Sequence, residues 1–188
     1  MNKDRLTAFT DAILAIIMTV LVLELEKPAA ADWQSLWALR SDFFSYTVSF
    51  FWLGAMWVNI HNRWSTIGKI DNKVIWCSII MLFFSSFFPY VTSFVGDHFT
   101  SLFAQMVYSI TVMCVSFANM ALGRAVSKAN GQPDAYDYTS GKIVAADLII
   151  KVLGMILAVL FWPPFAMIGV ILAGCLVTFL PPLLNKNK

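Results

Sequence analysis

A chain of 188 residues that is 59% hydrophobic and only 13% charged departs far from soluble domains, which carry roughly 45–50% apolar and about 25% charged residues. A soluble enzyme does not fit that composition, and a formal charge of +2 gives no footprint for nucleic acid. Sixteen Phe and seven Trp in long apolar runs describe an all-α, polytopic membrane protein.

The first apolar run covers 6–26. Basic residues precede it, as in a signal peptide, but no small-residue cleavage site closes it and Glu24, Glu26 and Pro28 follow, so it reads as a retained helix. Further runs at 42–61, 74–95, 101–122, 143–162 and 165–184 each approach the length of about 20 residues that a helix needs to span a bilayer. Six spans leave no room for another domain, so residues 1–188 read as one six-helix membrane unit. The steps Asn130-Gly131 and Gln132-Pro133 mark a turn. Trp162-Pro163-Pro164 makes the fifth connection a tight hairpin, because tandem prolines remove two backbone donors. Cys77, Cys114 and Cys175 sit in separate runs, with only His61 and His98 as imidazoles, which favours neither a disulfide framework nor a metal site. No cofactor is expected.

Lysine and arginine are retained on the cytoplasmic side of short loops. With the N-terminus inside, Lys3, Arg5, Arg63, Lys69, Lys73, Arg124, Lys128, Lys142, Lys186 and Lys188 lie in the cytoplasm, against Lys27 and Arg40 outside. Both termini are therefore expected in the cytoplasm of a cell-membrane protein. Ionisable residues within spans are costly and mark function or packing. Asp11, Asn59, His61, Asn119, Asp147 and Lys151 all fall in the cytoplasmic half, so one buried polar layer is expected, either a structural network or a proton or ion relay. Asp147 and Lys151 are one turn apart and can neutralise each other.

In the first span, residues turned by about 100° each place Ile16, Thr19, Val20 and Leu23 on one stripe. Asp11 lies about 140° from Ile16 on that wheel and is expected to face neighbouring helices, buried. Arg5 returns to the stripe side. By periodicity alone, such a stripe is more often packed or lipid-facing than pore-lining.

Arg5, Phe9, Thr10 and Asp11, followed by an apolar helix with an internal Thr19, resemble the RxxxFSD first-helix signature of the transmembrane protein 175 family. Thr10 stands where that family usually has Ser, which keeps the hydroxyl. Trp57, Asn59 and His61 are similar to the family's second-helix Trp and His pattern, although Asn62 replaces a frequent second His. The resemblance implies a potassium-permeable cation channel, in bacterial members a homotetramer of six-helix subunits. The first helix of each subunit would line the pore, with Ile16 at the constriction and Thr19, Val20 and Leu23 continuing the wall. Four Ile16 side chains would form a neck that can gate by dewetting, and no TVGYG filter is present. A ring of Thr19 hydroxyls could replace part of an ion's hydration shell, while Glu24 and Glu26 would concentrate monovalent cations at the outer mouth.

The rival reading is a small proton- or ion-coupled transporter working through Asp11, His61, Asp147 and Lys151. Neither paired inverted repeats nor spans broken by Gly or Pro near the midplane are visible in the chain to support it. An intramembrane enzyme lacks its motifs, with no HExxH or GxSxG, and an assembly subunit without transport activity is the remaining alternative.

Overall fold

The computed structural model describes residues 3–65, 68–131 and 139–185, and these form a bundle of α-helices. In chain order they are α1 (Lys3–Leu23), α2 (Trp33–Ala38), α3 (Arg40–Ser65), α4 (Asn72–Ser85), α5 (Phe88–Asp97), α6 (Leu102–Ala129), α7 (Thr139–Leu160) and α8 (Phe165–Asn185). Five stretches are long and apolar enough to cross a membrane, with α4 and α5 counted as one, and Phe165–Val177 adds a shorter apolar helix. The chain is an all-α, multi-pass membrane protein. Gln132-Pro133, Lys186 and Lys188 lie outside the described residues.

Helices α2, α4 and α6 start where a side chain satisfies free backbone donors. Asp32 accepts from Ser35 N at 2.7 Å and Asp71 from Val74 N at 2.9 Å, so α2 and α4 begin at aspartates. The backbone hydrogen bond at Ser35 holds the Asp32 carboxyl below its ordinary range. Helix α2 is an addition to the six expected spans, and it carries exposed Trp33 and Trp37 at a membrane boundary, where amphipathic rings belong.

The third span is not continuous, which corrects the expectation of unbroken helices. Pro89 is the second residue of α5 and brings no N–H for the Ser85 carbonyl, so the ladder slips at Ser86 and Phe87, where Phe87 N bonds Phe84 O at 3.3 Å. Proline inside an apolar run interrupts a helix by this means. Among the described residues the break stands in this one span, without the matching break in a second repeat that marks transporter sites.

Successive spans pack against one another. Helix α1 lies on α3, α4 and α5, whereas α6 lies on α4, α5, α7 and α8. In a bilayer, apolar burial gives little net drive between helices, so close van der Waals fit and interhelical hydrogen bonds hold the bundle. Both are present. Ser49 Oγ lies 2.7 Å from Thr92 Oγ1 and 3.0 Å from Tyr108 Oη, which ties α3, α5 and α6 at a fully buried point. At the hairpin of α7 and α8, a Cβ on Gly154 would sit 2.9 Å from Gly169 Cα and 3.0 Å from the Phe165 carbonyl. Only glycine permits that approach. The turn between them falls at Phe161–Pro164, where Phe165 N bonds Trp162 O at 3.0 Å.

Candidate ion pathway along the first helix

Helix α1 divides cleanly into two faces. Leu6, Thr10, Leu14, Ile17 and Leu21 are buried at spacings of three and four and form its contact with the bundle. Thr10, the hydroxyl position of the signature, donates to Leu6 O at 2.9 Å, so it is spent within the helix. The opposite side is uncovered. Ile16 is 60% and Leu23 77% exposed, Thr19 and Arg5 are exposed, and Val20 is half-buried at the edge of the stripe. Phe9 is exposed as well.

Thr19 donates its hydroxyl proton to the Ile16 carbonyl at 2.8 Å. Its oxygen lone pairs are thereby turned outward as acceptors, which is the polarity a cation needs. At the end of the helix Glu24 and Glu26 are exposed and share one depression with Asp42 and Asp97. The acidic group at this end of the bundle is thus four carboxylates. Asp42 and Asp97 open and close other helices, and only the fold brings them to Glu24. Gly96 makes room for this, because a Cβ there would lie 2.5 Å from Asp42 Oδ1.

Asp11 is half-buried, not buried as expected, and its Oδ1 accepts from Trp57 Nε1 at 2.8 Å. Trp57 in turn packs against His61, ring centroids 5.3 Å apart, and His61 is exposed. The expectation of one buried polar layer is corrected here. Asp147 and Lys151 form a separate pair on the far side of α3, with Lys151 Nζ 2.7 Å from Asp147 Oδ2 and 2.8 Å from Ser116 Oγ. Lys151 also lies over the Trp52 ring, 5.5 Å from its centroid. Asn59 donates to Ala55 O at 2.9 Å on its own helix, and Asn119 accepts from Arg63 through its side chain and its carbonyl. Equal depth in the membrane does not bring residues together when they leave their helices in different directions. Ser116 and Trp52 were not readable as partners, since a hydroxyl or an indole inside an apolar run carries no periodic signal.

These features define a class, a multi-pass helical membrane protein in which one helix turns an apolar, hydroxyl-bearing face away from the rest of its own bundle. Residues 5–89 match the family described as the endosomal/lysosomal potassium channel TMEM175. A potassium channel of Chryseobacterium sp. strain P1-3 is 31% identical over 188 residues, covering 96% of this chain and 94% of that one. The chain belongs to the TMEM175 family. A potassium channel of Streptomyces collinus is 30% identical over 131 residues, 65% of this chain and 64% of that one. The crystal structure of a lysosomal potassium-selective channel TMEM175 homolog from Chamaesiphon minutus superposes with a TM-score of 0.73 over 98% of this chain and 97% of that one, at 21% identity; that likeness concerns the fold.

Proposed function

We propose that this member of a potassium channel family conducts potassium and other monovalent cations through a pore lined by α1, with four subunits around one axis. The observation that carries the reading is the two-faced α1. Its inner stripe is satisfied by its own bundle, whereas Ile16, Thr19 and Leu23 have no cover within the subunit. Four such faces meeting at an axis would set a ring of Ile16 at the narrowest point and a ring of Thr19 oxygens one turn further out. A narrow isoleucine neck holds no stable water column, so it gates by dewetting. Hydrated potassium sheds water more cheaply than sodium, and the Thr19 lone pairs replace part of the lost shell, a modest selectivity. The outer carboxylates raise local cation concentration by Coulomb attraction. Arg5, Phe9 and Asp11 act in assembly, with Asp11 locking α1 to α3 through Trp57. The excess of Lys and Arg in the loops on the N-terminal side supports both termini in the cytoplasm.

Single-channel recording in planar bilayers under potassium and sodium gradients tests this reading. Ile16→Ala widens the neck and is expected to raise conductance while admitting sodium more readily. Thr19→Val keeps the shape and removes the oxygen, so conductance persists while preference for potassium falls. Wild-type currents and selectivity in both variants would withdraw α1 from the pathway. Native mass spectrometry checks the stoichiometry, and a monomer or dimer as the sole species would overturn the tetramer.

A further inference from the structure

The end of the bundle where α3 finishes, α4 begins and α6 finishes gathers positive charge. Lys69, Lys73, Arg124 and Lys128 are all exposed there. From Arg63 to Lys73 the only acidic residue is Asp71, and from Arg124 to Gly131 there is none. Asp71, the N-cap of α4, sets one carboxylate against these four cations, so the patch stays net positive.

Geometry organises this patch beyond a simple excess of cations in a loop. The Asn130 side chain accepts from Gly68 N at 3.1 Å and from Lys69 N at 2.9 Å, and donates to Lys69 O at 3.0 Å and Val126 O at 2.9 Å. It clasps the loop backbone to the end of α6, beside Lys128. Arg63 ties the end of α3 to the same helix through Asn119. A preorganised set of donors loses less freedom on binding an anion.

Apolar surface continues directly from the charges. On α6, Ile110 and Phe117 are exposed and share one stripe with Arg124 and Lys128, since their spacings of seven, seven and four keep returning to the same face. On α4, Trp76, Ile80 and Phe83 are exposed on the side that carries Lys73. Because α4 and α5 lie between α6 and α1, the α6 stripe faces away from the helix proposed to line the pore. A surface with a basic rim, a tryptophan beneath it and an apolar wall below has the polarity profile of a phospholipid with an anionic headgroup.

We propose that the basic end of the α4–α6 hairpin binds an anionic phospholipid, the headgroup phosphate taken by Lys73, Arg124 and Lys128 beside the clasped Lys69, with the acyl chains lying along the exposed stripes of α4 and α6. Charge complementarity selects the occupant, and a zwitterionic lipid of the same chains gains the apolar contact alone. The site is independent of ion conduction.

The test uses the delipidated full-length protein in detergent, titrated with phosphatidylglycerol and with phosphatidylcholine of identical chains, bound lipids being resolved by native mass spectrometry. Detergent solution removes any effect of the variants on membrane orientation. Phosphatidylglycerol is expected to bind about tenfold or more tighter than phosphatidylcholine. Neutralising Lys73→Gln, Arg124→Gln and Lys128→Gln together should erase that preference. The charge-conserving set Lys73→Arg, Arg124→Lys and Lys128→Arg should keep it, as should neutralising Lys27 and Arg40 at the other end. Equal binding of the two lipids by the unaltered protein would overturn the proposal. So would an undiminished preference in the neutralised protein, or a loss of preference of the same size on neutralising Lys27 and Arg40.

Discussion

Helices α1 and α7 are both left largely uncovered by the rest of the bundle, yet they dispose of polarity in opposite ways. In α7 the ionisable pair is turned inward, with Asp147 8% and Lys151 3% exposed, while Ile149, Val152, Leu153, Ile156 and Leu160 face outward. In α1 the inward stripe is mainly leucine and isoleucine, and Arg5, Thr19 and one side of Asp11 are left facing away from the core. Hydrocarbon outside a helix demands the first arrangement, because an unpaired polar group in lipid costs several kcal/mol. The second arrangement suits the proposed pore, with water or a partner subunit outside the helix. Two spans of similar hydropathy are thus told apart by where their few polar atoms point.

The contrast is broken most severely at Lys151. Lys151→Met leaves the Asp147 carboxylate buried without its partner and is expected to destabilise the protein by about 3–5 kcal/mol, read as a large fall in Tm in detergent. The double variant Asp147→Leu with Lys151→Met should recover most of that loss, since it removes the stranded charge. Next comes the crossing of α7 and α8. Gly154→Ala drives a methyl group against Gly169 Cα and the Phe165 carbonyl, backbone atoms that cannot swing aside, and should cost about 1–3 kcal/mol by the same measurement.

Effects on α1 are smaller and sharpen the comparison from the other side. Asp11→Asn weakens the bond from Trp57 by removing its charge assistance, a loss of about 1 kcal/mol, and is expected to lower the yield of assembled oligomer in size-exclusion chromatography. Normal assembly with altered ion selectivity would instead place Asp11 in the ion path. Smallest is Ile16→Ala, whose effect on subunit stability should stay within about 0.5 kcal/mol, as for exposed sites away from packing, even as its currents change.

Hydropathy and charge made the helical membrane class and the approximate position of the long helices legible, because burial in lipid acts on every residue of a span. The division of α1 was legible too, since one helix wheel needs no knowledge of neighbours. Three features were not. The break before α5 escaped because Pro89 sits among Phe, Tyr and Val, and apolar sums do not register a missing backbone donor. The short α2 escaped because a capping Asp32 and six residues give no period. The polar layer was misjudged because depth follows from counting along a helix, while direction around the bundle is set by packing. Asp11 meets Trp57 on one side of α3, and Lys151 meets Trp52 on another.

The glycine crossing of α7 and α8 also bears on the order of events in synthesis. These two helices form the most extensive helix pair in the bundle, and their turn occupies Phe161–Pro164, so their contacts are close in sequence. Closing so short a loop costs little entropy, and contacts of low sequence separation form early. The last two spans can therefore dock on each other as a finished hairpin as soon as both have left the ribosome. What remains is the docking of that hairpin on α6, which seats Lys151 beside Ser116 and makes that hydrogen bond a late step in assembly.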